Sequence, residues 1–160
     1  MTILNDIRAC LDSHLVTTTG IPPVYQDNVD FEPETGVPFL RSSFVPTLRR
    51  PATRGLNPVQ RYDGIYSILI CTPQGQGSGA GLDLADLLLS RFDSTTDLVY
   101  YNPTDTILLE NGGTLLQEDN SSLLLGSPTF VSIEYSEVGS SYLSKPYYCT
   151  PVSVAWYTYK

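Results

Sequence analysis

Gln60-Arg61-Tyr62-Asp63-Gly64-Ile65-Tyr66-Ser67-Ile68-Leu69-Ile70-Cys71-Thr72 is rich in β-branched and aromatic side chains and bounded by turn-forming residues, the composition of a β-strand. Tyr62, Tyr66, Ile68 and Ile70 alternate with Asp63, Ile65, Ser67, Leu69 and Cys71, so both faces carry apolar groups. A strand with one solvated face alternates cleanly, so this one reads as a central strand of a sheet. Residues 37 to 48 have the same character. Arg49-Arg50-Pro51-Ala52-Thr53-Arg54-Gly55-Leu56-Asn57-Pro58 joins the two as a long-armed hairpin. Within the arm from Leu48 to Gln60, Pro51, Gly55 and Pro58 are expected to remove regular hydrogen bonding.

Working outward, Ile3, Ile7, Leu11 and Leu15 recur at helical spacing from Thr2 to about Val16, with Thr2 placed to cap the helix. Thr17-Thr18-Thr19-Gly20-Ile21-Pro22-Pro23 stops it, and a loop or short extended piece follows to about Gly36. After the central strand comes a Gly-rich loop, residues 73 to 81. A second helix, about Ala80 to Phe92, then gathers Leu84, Ala85, Leu88, Leu89 and Phe92 on one arc. The remainder reads as β: 98 to 101, a hairpin of 105 to 110 with 113 to 117 around Asn111-Gly112, then 128 to 136 and 147 to 159. The order predicts an α+β domain over residues 1–160, a mostly antiparallel sheet packing two helices on one face.

A chain of 160 residues with 41% hydrophobic and 16% charged side chains can bury one sizeable core. Nine basic against seventeen acidic residues leave a net charge of −8, which opposes general binding to nucleic acid. No apolar run approaches the roughly 18 residues that span a bilayer, and Asp6 and Arg8 interrupt the region where a signal peptide would be apolar. The expectation is a soluble, intracellularly made protein without a membrane partner. Cys10, Cys71 and Cys149 are odd in number and far apart, so reduced, mostly buried thiols are expected.

The patterns that carry chemistry fall short of their requirements. Gly75, Gly77 and Ala80 satisfy G-x-G-x-x-[GA] between a strand and a helix, but β-hairpins follow instead of repeated βαβ units, and Asp97 is the only candidate for the acid after the next strand. Cys10 and His14 share a helix face and with Cys71 and Cys149 make a formal zinc set, yet no C-x-x-C pair is present. His14 is the only histidine and lies in an apolar arc, a poor place for the base of a nucleophile. We therefore expect no enzyme activity, no cofactor and no metal.

Charge placement is more informative. Residues 49 to 61 hold Arg49, Arg50, Arg54 and Arg61 and no acid, in a chain whose acids are nearly twice its bases. A solvated hairpin tip accounts for this in part; docking of the arm on an acidic surface of a neighbouring subunit or tube accounts for it better. Tyr135, Tyr142, Tyr147, Tyr148, Tyr157 and Tyr159 put six of eleven tyrosines in the last 26 residues, a composition that suits subunit interfaces and strands alike.

Several stretches resemble the tail terminator family of long-tailed bacteriophages, similar to the lambda-type terminator. They are Ile7-Arg8-Ala9 with Leu11, Val29-Asp30-Phe31-Glu32-Pro33, Gly36-Val37-Pro38-Phe39-Leu40-Arg41, Arg61-Tyr62-Asp63-Gly64-Ile65-Tyr66, Pro73-Gln74-Gly75-Gln76-Gly77, Arg91-Phe92 and Val152-Ser153-Val154. Residues 105 to 127 depart from the shorter link of the family. The resemblance implies a structural virion protein at the head-proximal end of the tail. As a homo-oligomeric ring, hexameric in number, it would cap the tail tube protein, stop polymerisation and meet a head completion or connector protein. DNA would pass through the lumen without specific binding. The rival readings are a small-molecule or nucleotide module using loop 75–81 and a tail assembly chaperone.

Overall fold

The computed structural model describes residues 2–75, 77–101 and 128–160. The order is α1 (Ile3–Val16), β1 (Val24–Gln26), β2 (Phe39–Pro51), β3 (Gln60–Pro73), α2 (Gly79–Arg91), β4 (Asp97–Tyr100), β5 (Thr129–Val138), β6 (Tyr142–Ser144) and β7 (Tyr147–Tyr159). All seven strands belong to one mixed, curled sheet of order β1-β2-β3-β7-β5-β4, with β6 added on β7. Among the described residues only β1–β2 is parallel; the other pairs are antiparallel. The hairpin expected at 105–117 lies outside the described residues.

β3 is central, between β2 and β7, and its alternation decides the two faces. Tyr66, Ile68 and Ile70 join Leu40 of β2, Val152, Val154 and Trp156 of β7, and Val131 and Ile133 of β5 in the main core. Ile7, Cys10, Leu11 and Leu15 of α1 and Ala85 and Leu88 of α2 enter the same cluster, as the helical spacing predicts. α1 is tied to the sheet through Asp12, whose carboxylate accepts from Tyr66 Oη (2.6 Å) and Gln26 Nε2 (2.9 Å) and lies 3.5 Å from Arg8. Thr2 occupies the cap position but gives no side-chain bond; its carbonyl accepts from Asn5 and Asp6.

On the opposite face, Cys71 and Cys149 are cross-strand partners with Cα atoms 4.3 Å apart and are joined as a disulfide. The expectation of three reduced thiols is corrected: residues 78 apart in sequence are brought directly opposite by the β3–β7 register, which linear spacing does not reveal. Cys10 alone is free, and burial pushes its thiol up to about 11. Phe39 packs edge-on against Tyr147 and Phe31, while Phe31 stacks on Tyr25, so the loop after β1 covers this end of the outer face.

The arm is shorter than the sequence indicates. The β2–β3 ladder continues to Pro51↔Gln60, and Gln60 exchanges backbone bonds with Lys160 beyond β7. Leu48–Pro51 and Gln60 are therefore regularly paired, and only Ala52–Val59 projects past the ladder. Proline is tolerated at 46 and 51 because this part of β2, past the end of β1, has one side without a strand partner among the described residues.

His14 provides a pH test. Burial holds it below its ordinary value of 6.5, with the Arg91 charge adding to the effect, although Nε2–H donates to the Arg91 carbonyl at 3.0 Å. The unfolded chain therefore takes up this proton first as pH falls, so the His14 contribution is present above about 6.5 and lost below it. Melting temperatures at pH 7.5 and 5 should show a decline that His14→Gln flattens.

Candidate functional site

The four arginines of the hairpin separate into two groups. Arg61 is held within the chain: it donates through Nε to Asp63 Oδ1 at 2.6 Å, lies 3.6 Å from Glu134, and stacks over Tyr157 at 4.5 Å and Tyr159 at 6.0 Å. The hydrogen bond to Asp63 is the main reason its pKa is raised. Strand alternation puts residues 61 and 63 on the same side, so this partner was legible two positions past the acid-free run.

Arg49, Arg50 and Arg54 are exposed. Arg50 Nε lies 3.7 Å from Asp63, a weak contact for a side chain that is 54% exposed. Arg49 rests over the Tyr62 ring at 5.4 Å. Arg54, in the projecting tip, has no ion pair or ring contact among the described residues. Exposed Val45, Leu48, Leu56 and Val59 accompany them, so this end of the hairpin combines cationic and apolar groups. From Phe44 to Pro51 the outer edge of β2 has no strand partner among the described residues.

At the opposite edge the chemistry reverses. β4 and β5 carry Asp97, Glu134 and Glu137, with no Lys or Arg in either strand. Val99, Phe130, Tyr135 and Val138 are exposed beside them. The linear sequence hides this patch because residues 97 and 134 become neighbours only through the β4–β5 pairing. The C-terminal tyrosines divide: Tyr147 is buried and donates to the Glu34 carbonyl, whereas Tyr135, Tyr142 and Tyr159 are exposed.

The remaining chemical candidates do not assemble. Gly75 and Gly77 take the positive φ values expected of the Gly-rich loop, but α2 leads to β4 at the far sheet edge, antiparallel to β3 by strand parity. The parallel neighbour required for a dinucleotide fold is missing there. Cys10 lies in the helix-side core and Cys71 and Cys149 in the outer-face cluster, so the formal zinc set is divided by the sheet.

Comparison with known proteins gives one family. A family model described as phage tail terminator protein matches residues 6–156. No curated protein matches. Among solved structures, one chain of 19% identity superposes with a TM-score of 0.59 over 98% of this chain and 94% of its own length, a likeness of fold.

Proposed function

From the premise that this chain belongs to the phage tail terminator family, a family of structural proteins of the virion tail, we propose that it closes the head-proximal end of the tail tube. In this reading copies assemble as a six-membered ring on the finished tube, stop its polymerisation and offer the outer surface to the head's connector. The observation that carries it is the family match over nearly the whole chain. The separated basic and acidic edges support it further, since head-to-tail contacts between unlike patches close by rotation into a ring. The net charge of −8 suits a lumen that lets DNA slide without adhering.

The hairpin end is the assembly contact in this proposal. Arg49, Arg50 and Arg54 supply charge-assisted hydrogen bonds to carboxylates on a neighbour or on the tube, and Arg61, tied to Asp63, supports the strand from which they project. Replacing Arg49, Arg50 and Arg54 together by Ser should change stability by under about 0.5 kcal/mol, because all three are exposed. Phage assembled with that variant should carry overlong or headless tails, and added salt should weaken capping by the unaltered protein. Tails of normal length, measured by electron microscopy, would reject the arm's part in capping. A chain that stays monomeric both alone and on added tube ends would reject the ring.

A further inference from the structure

We propose that the basic β2 edge of one copy docks on the acidic β4–β5 edge of a second copy of this chain. The inference rests on the ring reading and specifies which surfaces meet. Three observations carry it.

First, the patches are complementary. Arg49, Arg50 and Arg54 are exposed at one side of the sheet, Arg49 on the face of Tyr62 and Arg50 on the face of Asp63; Asp97 is exposed at the other, and each patch includes exposed apolar side chains. Second, the patches cannot satisfy each other within one molecule. Four strand spacings separate β2 from β4, about 19 Å along the sheet, far beyond ion-pair reach. Third, the arginines lie at the height of Asp97, whereas Glu137 belongs to the lower row of Ser153, Ser67 and Ser43. Leu48 pairs with Asp63, Asp63 with Tyr157, Tyr157 with Ser132, and Ser132 with Asp97, a single cross-strand row that ends beside Arg49 and Arg50 on one side and at Asp97 on the other. Rotation about an axis along the strands therefore brings the arginines of one copy level with Asp97 of the next.

The contact is made by side chains rather than by a continuous ladder. Pro46, Pro51 and the bulge between Pro46 and Leu48 deny a neighbouring strand regular pairing along β2, which also protects the edge from unspecific association. Such a contact is heterologous, and each copy uses both edges once in a closed ring.

The test is a charge-swap mixing experiment with the full chain. One variant carries Arg49→Glu and Arg50→Glu; the other carries Asp97→Arg. Each alone should associate at least about tenfold more weakly than the unaltered chain by sedimentation, since like charges then face each other. Mixed in equal amounts they should recover association as alternating assemblies with an even number of copies, because every contact in the mixture again joins unlike charges. Recovery supports the proposal. Unaltered association by either variant, or a mixture no better than its components, overturns it while leaving the ring reading intact. A wild-type chain that fails to associate even on tube ends overturns both. Should the double reversal unfold, Arg50→Glu alone, at an exposed position, mixed with Asp97→Arg gives the same readout with the same two outcomes.

Discussion

Replacing Trp156 by alanine is expected to cost the fold about 3–5 kcal/mol, a large share of the roughly 5–15 kcal/mol that holds a domain of ordinary stability. Trp156 is 1% exposed, the largest of the fully buried side chains, and its ring stacks on Phe44 with centroids 5.2 Å apart. Among the described residues its Nε1–H has no hydrogen-bond partner, so truncation removes packing and apolar burial without losing a bond to them. The strand backbone on either side is locked into the β3 and β5 ladders, which limits collapse around the void and places the cost at the upper end of the range. Urea unfolding followed by circular dichroism should show the midpoint falling with little change in slope. A loss below about 1 kcal/mol would contradict the central place given to this ring.

Adding side-chain atoms opposite that ring should also be costly. Strand propensity alone makes Gly64→Val an improvement, since glycine weakens a strand interior. The structure reverses the sign. A Cβ at position 64 would run into the Trp156 ring and come within 2.7 Å of the Val45 carbonyl oxygen, which is fixed backbone. Overpacking of this kind costs about 1–3 kcal/mol, and valine's two further methyls raise it. The two sites are coupled, so Gly64→Ala should be markedly less damaging in a Trp156→Ala background than in the unaltered chain. Simple additivity in that double-mutant cycle would show that the clash is relieved elsewhere.

The hairpin shows how a correct local count can still mislead about partners. Residues 49 to 61 contain no acid, yet Asp63 binds Arg61 and approaches Arg50. Counting along a strand in steps of two would have found this pair, because side chains two apart share a face. The patch left for a neighbour is consequently Arg49, Arg50 and Arg54. The ends of the ladder were less legible, since prolines that break a central strand are tolerated where one side is unpaired, and that β2 has no outer strand partner past Ser43 among the described residues depends on where β1 ends.

Local periodicity by itself determined both helices, the central place of β3 and the mixed helix–strand class, because burial on one arc or on two faces writes a repeat into neighbouring residues. The same residues carried the family resemblance, since most of the quoted stretches lie in or beside those elements. Only the tertiary structure decided that β1 joins in parallel, that Cys71 meets Cys149, and that the hairpin arginines and Asp97 occupy opposite sides of the sheet at one height. Each of these is set by pairing between strands distant in sequence. Register and strand order arise from the closure of the whole sheet over its core, and no short window of sequence contains the partner against which a strand is aligned.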